Sequence, residues 1–254
     1  MLITLTTDFG LREPYAGIMK GIILNINPEV RIVDLTHDIG PHNVREAAFV
    51  LLNAYKYFPL DTIHVAVVDP GVGSGRRAII VKAQKQFFVG PDNGIFTKFL
   101  KKAEKIIHIQ NKRFLLPVKG PTFHGRDVFA PVAAWLSRGL PLSRFGPEIN
   151  DPVRLELPEP KIRKDSIKGE IIHIDRFGNC ISNISGDLLA SLKRKRIQIK
   201  VKGKVLDLVP FYSYKEDLKP HAVINSDGLV EIFIHKGNAA RELGIKIGDG
   251  IIAS

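Results

Sequence analysis

The chain has one cysteine, Cys180, among its 254 residues, so an intramolecular disulfide is excluded and a reducing compartment is expected. Cys180 itself reads as a small inert side chain. No stretch reaches the roughly 20 apolar residues that a membrane span requires. The opening Met1-Leu2-Ile3-Thr4-Leu5-Thr6 lacks a basic leader, and Asp8 interrupts its apolar run, so it does not read as a secretion signal. A cytoplasmic protein is expected. HExxH and CxxC spacings are absent, as are a Walker A loop and the dinucleotide fingerprint. His37, Asp38, His42 and His124 are therefore poor material for a metal centre, and no metal or cofactor is expected. No internal repeat or low-complexity segment is present.

What is present is ordinary globular material: 44% hydrophobic and 25% charged residues, enough to bury roughly three-quarters of the unfolded surface. The net charge of +11 raises the question of a nucleic-acid partner. The basic residues are dispersed, however, and the densest run, Lys193-Arg194-Lys195-Arg196, reads as a solvated turn before a strand. Neither a nucleic-acid nor a membrane partner is expected. Abundant Lys and Ile with little Gln hint at a thermophilic source.

The first half alternates strand and helix signals. Strands are predicted at Leu2–Thr6, Arg31–Leu35, Thr62–Val68, Ala78–Lys82, Gln86–Val89 and Lys105–Ile109. Helices are predicted at Pro14–Asn25, Val44–Tyr57 and from Gly125 or Asp127 to Arg138. This pattern predicts an α/β fold, with a largely parallel sheet and helices on both faces, over residues 1–155. The Pro- and charge-rich stretch around Asp151–Asp165 reads as a linker, placed at 156–167. Residues 168–254 carry short strand signals with little helix between them and predict a smaller antiparallel β-barrel.

Three early strands run into aspartates: Asp8, Asp34 and Asp69. Ligands of open α/β sheets bind beyond the carboxyl ends of the strands. Carboxylates there suit ribose hydroxyls as well as helix caps. Gly71-Val72-Gly73-Ser74-Gly75 would bring backbone close to a ligand. Arg76 and Arg77 follow, and strand alternation allows at most one of them to face that ligand. His124, beside Gly125 in a loop, is a candidate reactive group. His64, His108 and His173 sit in strand patterns and read as structural. Asp175-Arg176-Phe177-Gly178-Asn179 and Asn225-Ser226-Asp227-Gly228 read equally as binding loops or as hairpin turns.

Five motifs occur in order: Asp8-Phe9-Gly10, Asp69-Pro70-Gly71-Val72-Gly73, Gly90-Pro91-Asp92-Asn93-Gly94, Phe123-His124-Gly125-Arg126-Asp127 and Asp175-Arg176-Phe177-Gly178-Asn179. Together they resemble the SAM hydroxide adenosyltransferases, relatives of the SAM-dependent fluorinase and chlorinase. The resemblance implies an α/β domain followed by a β-barrel. It also implies a homotrimer with sites between subunits and cleavage of S-adenosyl-L-methionine (SAM) to adenosine and methionine by water. It casts Asp8 as the ribose-binding aspartate, with Phe9 and Asn93 also at the substrate. Asp69, Arg76 (with Arg77 second) and His124 match the catalytic set. Asp175 matches the partner of the methionine ammonium, and Phe177 and Asn179 match adenine contacts. Ser226, Glu231, Asn238 and Ala239 fall in the region that closes the pocket. Halogenating relatives carry a hydroxylated or aromatic residue in place of Asp69. A carboxylate repels halide and accepts protons from water, so the resemblance is to the hydrolytic branch. Rival expectations are a SAM or adenosine binding module without catalysis, a halogenase, and a nucleic-acid binder with salt-sensitive affinity.

Overall fold

The computed structural model describes residues 1–117, 120–194 and 196–254. The chain divides into two compact units, Met1–Glu156 and Leu157–Ser254. In the first unit the chain runs through β1 (Leu2–Thr7), α1 (Tyr15–Ile26), β2 (Arg31–Thr36), α2 (Val44–Ala54), β3 (Ile63–Val67), β4 (Ala78–Ala83), β5 (Gln86–Pro91) and β6 (Ala103–His108). A π-helical turn (Gly125–Phe129) then leads into α3 (Ala130–Ser137).

These six strands form one sheet in the order β2-β1-β3-β5-β4-β6. β2, β1, β3 and β5 are parallel, whereas β4 runs antiparallel to both of its neighbours. The reversal is made by Gln84 and Lys85, both at positive φ (56° and 58°). Two consecutive residues in that region make the tight hairpin whose twist matches the flanking strands. Neither residue is a usual marker for such a turn, which is why the sequence pattern reads as more uniformly parallel than the sheet is.

Strand alternation divides the core into two layers. Val65, Val67, Ile80 and Val89 face one side with Met19 and Ile23 of α1 and most of α3. Ala66, Val68, Ile79, Val81 and Phe88 face the other side with Ala47 and Leu51 of α2. Helices thus cover both faces, as continuously apolar strands require. α2 begins at Asn43, whose side chain accepts from Glu46 N, while the Glu46 carboxylate accepts from Asn43 Nδ2 and Gly40 N. It gives way to a 3-10 turn at Tyr55–Tyr57, inside the stretch predicted as helix. The helix predicted to start near Gly125 likewise begins as the π turn and becomes α-helical only at Ala130.

The second unit contains β7 (Lys161–Arg163), β8 (Ser166–Ile174), β9 (Cys180–Ser185), α4 (Gly186–Ser191), β10 (Gln198–Val201), β11 (Lys204–Asp207), β12 (Pro220–Ile224), β13 (Leu229–Ile234), α5 (Ala239–Leu243) and β14 (Gly250–Ala253). The order is β11-β10-β14-β8-β9-β13-β12, with β7 on the flank of β8 and every pairing of these strands antiparallel. The two ends of this sheet meet where Val209 N donates to Ala222 O (2.8 Å), so the barrel is nearly closed. Its interior holds Ile167, Ile171, Ile184, Ile199, Val230, Ile232 and Ile251. Cys180 is buried there and its thiol is pushed up to about 12 by burial, with nearby carboxylates adding to the shift.

Two features depart from the sequence pattern. β7 and the start of β8 fall within the 156–167 stretch read as linker, because all three β7 residues are exposed and leave no apolar signature. α4 and α5 are too short to show periodicity and are marked only by their caps, Ser185 and Asn238. In the basic run, Arg194 lies 3.4 Å from Asp165 and Arg196 2.9 Å from Asp207, while Lys195 lies outside the described residues. Among the described residues no helix is long and apolar enough to cross a membrane.

Candidate active site

Because β1 and β3 are parallel, their carboxyl ends share one rim of the sheet, and Asp8 and Asp69 stand just beyond them; Asp34, expected where β2 ends, instead lies inside that strand opposite Leu5, because β2 continues to Thr36. Asp8 Oδ2 accepts from His42 N (2.9 Å), with His42 at φ 63°. Asp34 is engaged by Lys20 Nζ (2.5 Å) and lies 3.0 Å from His37 Nε2, whose Nδ1 is 2.8 Å from Thr7 Oγ1. Phe9, next to Asp8, packs edge-on to Tyr15 and Phe123 at centroid separations of 5.7 and 5.8 Å. That trio ties the end of β1 to the segment carrying His124.

Asp69 starts the glycine loop. Val72 N and Ser74 N turn back to Asp69 O and Gly71 O, and Ser74 Oγ donates to Gly71 O. Gly73 sits at φ +79°, where a Cβ would come within 2.8 Å of Pro121 O. Only glycine lets this loop lie against the 121–125 segment. The consequence is a three-residue cluster. Arg76 Nε donates to Asp69 Oδ1 (2.9 Å) and Nη2 donates to Asp69 Oδ2. The same Nη2 lies 2.6 Å from His124 Nδ1, and Nη1 donates to Arg77 O (3.2 Å). The side chains of Asp69 and Arg76 are only 6% and 10% exposed. Below them the Phe129 ring lies 5.3 Å from the guanidinium and edge-on to the imidazole. Burial, and then the Arg76 charge, hold the His124 imidazole below its ordinary 6.5 against the opposing pull of Asp69 and Asp127.

Arg77 points elsewhere: its Nε donates to Asp92 Oδ2 and Nη1 to Asp151 Oδ1, both at 2.8 Å. Alternation along the chain thus separates the neighbouring arginines, and Arg76 is the one that joins Asp69 and His124. Asn93 donates to Val68 O (2.8 Å) and accepts from Ile95 N (3.2 Å), so its amide braces the end of β3. Of the remaining histidines read as structural, His64 is fully buried between Thr4 Oγ1 (2.8 Å) and Gln86 Oε1 (3.2 Å). Among the described residues no group of three or more His, Cys, Asp or Glu could hold a metal ion.

The second unit has its own concave feature, a cavity of about 510 Å³ lined by Asp175, Phe177, Asn179, Tyr212, Ile234, Lys236 and Gly237. Asp175 Oδ1 accepts from Phe177 N and Asn179 N, and Oδ2 accepts from Asn179 Nδ2, which folds the loop into a turn and leaves the Phe177 ring 74% exposed. Gly178, at φ +85°, lies so close to Asn238 that a Cβ would approach its Cγ to 2.1 Å. Ala240 N donates to Gly178 O, and Asn238 Oδ1 caps α5 by accepting from Arg241 N. Ala239 is fully buried at the start of that helix, and Ser226 is exposed in the turn between β12 and β13. Glu231, 3% exposed, accepts from Tyr212 Oη (2.7 Å) and Asn225 Nδ2 (3.0 Å). Both of its oxygens are thus occupied by protein donors. The Tyr212 phenol is pushed up by burial and by that hydrogen bond. Sequence reasoning passed over Tyr212 and Lys236. The aromatic run Phe211-Tyr212-Ser213-Tyr214 in a loop was the available signal for the tyrosine, and Lys236, at φ 53°, had none.

Comparison with known proteins gives consistent matches. Residues 3–146 match the model of the SAM hydroxide adenosyltransferase N-terminal domain, and residues 169–252 match that of the C-terminal domain. An (R)-S-adenosyl-L-methionine hydrolase of Methanocaldococcus jannaschii is 39% identical, the match covering 98% of this chain and 94% of the relative. A fluorinase of Actinoplanes is 24% identical over 97% of this chain and 95% of its own. An uncharacterized conserved protein from Thermotoga maritima, known by crystal structure, superposes with a TM-score of 0.93 at 36% identity, covering 100% of this chain and 99% of its own.

Proposed function

The chain belongs to the SAM hydroxide adenosyltransferase family, and from that membership we propose that it is an S-adenosyl-L-methionine hydrolase releasing adenosine and L-methionine. The observation that carries the site assignment is the Asp69–Arg76–His124 cluster at the carboxyl rim of the sheet, with the Asp69 and Arg76 side chains largely buried and His124 half-buried. A sulfonium leaves as a neutral thioether, so no acid is needed to expel methionine. What remains is to deliver an oxygen nucleophile in line with the C5′–S bond, and positioning of that kind supplies several kcal/mol of the barrier. The Asp69 carboxylate and the His124 imidazole are the groups that hold the water, and Arg76 locks their mutual geometry. Attack opposite sulfur inverts C5′.

On this reading Asp8 takes the ribose hydroxyls with Phe9 beside it, and Asp175, Phe177 and Asn179 take the ammonium and adenine ends. Tyr212 joins them on the cavity wall. Asn93, Glu231 and Asn238 act by shaping the loops, and the family resemblance puts Ser226 and Ala239 in the region that closes the pocket. The two sets of ligand groups lie in different units of the chain, and we assign their meeting to a homotrimer in which neighbouring subunits complete each site. No cofactor enters the chemistry. A cytoplasmic location and a thermophilic origin complete the proposal; a melting temperature well above the mesophilic range is expected.

The test is incubation with SAM in oxygen-labelled water, followed by chromatography and mass spectrometry. Adenosine carrying solvent oxygen, unchanged by chelator, is expected. The same assay with added chloride or fluoride should give no halogenated nucleoside, since a buried carboxylate disfavours halide at this position. Bound but uncleaved SAM would leave a binding module, and a halonucleoside would make the protein a halogenase. Gel filtration with light scattering reads the trimer.

A further inference from the structure

We propose that Arg76 fixes His124 as the neutral imidazole carrying its proton on Nε2, so that Asp69, and not His124, accepts the proton of the attacking water. This rests on the hydrolytic reading above. An arginine side chain has five N–H donors, no acceptor, and keeps its proton in proteins. Four of those donors are committed here: Nε–H and one Nη2–H to the two Asp69 oxygens, the second Nη2–H to His124 Nδ1, and one Nη1–H to Arg77 O. A contact of 2.6 Å between Nη2 and Nδ1 requires a lone pair on Nδ1. A proton there would set donor against donor, and an imidazolium would add a second positive charge beside the guanidinium.

With the Nδ1 lone pair filled and the proton on Nε2, the imidazole has no vacant acceptor. Each Asp69 oxygen takes one hydrogen bond from Arg76 and keeps a second lone pair. The water oxygen therefore bonds to C5′ as the C5′–S bond breaks, and that bond's electron pair returns to sulfur, giving neutral methionine. The departing water proton passes to the Asp69 carboxylate, which returns it to solvent after adenosine leaves. Arg76 is a positioning residue, and His124 is a fixed N–H donor. The charged groups facing the imidazole are Arg76 and Asp69 from the loop after β3 and Asp127 from its own turn, which is paired with Arg126. Burial and Arg76 both favour the uncharged ring.

Nitrogen-15 NMR of the protein labelled at histidine, with His124 assigned by its loss in His124→Gln, reads the tautomer without reference to activity. A bare Nδ1 and a protonated Nε2, unchanged across neutral pH, are expected; an Nδ1–H tautomer or an imidazolium overturns the proposal. In the SAM assay, His124→Gln keeps an amide donor near Nε2 and should lose about 10-fold in kcat with its acid limb unmoved. Asp69→Asn should lose at least about 100-fold, the usual contribution of a general base. Loss of the acid limb in His124→Gln would transfer the base to histidine. If the wild type releases no adenosine, the hydrolytic reading fails, while the NMR result still decides the tautomer.

Discussion

Replacing Arg76 by lysine keeps a positive charge in the site and removes the fork. The guanidinium donates four hydrogen bonds, two of them to a carboxylate that is 6% exposed. A lysine ammonium is a point charge on a flexible stem and cannot bridge both carboxylate oxygens, the imidazole and a backbone carbonyl together. With hydrogen bonds to charged groups contributing about 1.5–3 kcal/mol each and not additively, Arg76→Lys should lower stability by roughly 2–4 kcal/mol. The water would no longer be held to a fraction of an ångström, a misplacement that lowers kcat about 100-fold. Urea melts and adenosine release read both effects. A lysine variant with wild-type stability and rate would refute the idea that the fork organises the site.

His64 gives a pH-dependent stability. Burial holds its folded-state value at about 4, below the 6.5 of the unfolded chain, partly countered by the hydrogen bond to Gln86. Between those values the unfolded chain binds more protons, so stability falls as pH drops through that window and levels off below it, by roughly 3 kcal/mol. The non-titrating His64→Gln should flatten that part of the slope in urea melts at pH values between about 7 and 4. Gly178→Ala forces a Cβ to 2.1 Å from Asn238 Cγ at positive φ, and should destabilise the second unit by about 2–4 kcal/mol or weaken SAM binding more than 10-fold. Gly75→Ala is the matched control: a Cβ there meets nothing within 4 Å, so calorimetry and SAM titration should find it within about 0.5 kcal/mol of wild type. Tyr212→Phe removes the donor to buried Glu231 and should lower stability by about 1–3 kcal/mol and raise KM with little change in kcat.

Whatever depends on residues close together in the chain was legible from the amino-acid order alone. Apolar runs ending in Asp8 and Asp69 placed two carboxylates on one rim, because parallel strands must end on the same side, whereas Asp34 fell inside β2. The glycine loop, the Asp175–Asn179 turn and the spacing of short strands after residue 168 were equally legible, since turns and alternation are local. Contacts over long separation decided the rest. Alternation says that Arg76 and Arg77 diverge, but only the meeting of the glycine loop with a histidine 48 residues further on says which one turns inward. Glu231 looks like a free carboxylate until the fold brings Tyr212 and Asn225 to its two oxygens. The reversal of β4 came from two residues, Gln84 and Lys85, whose side chains do not announce a left-handed turn and whose conformation is imposed by the strands they join. Hydrogen-bond donors and acceptors can be counted from a sequence, but which of them are already occupied is a property of tertiary packing, and that occupancy makes His124 a donor and leaves Asp69 as the acceptor.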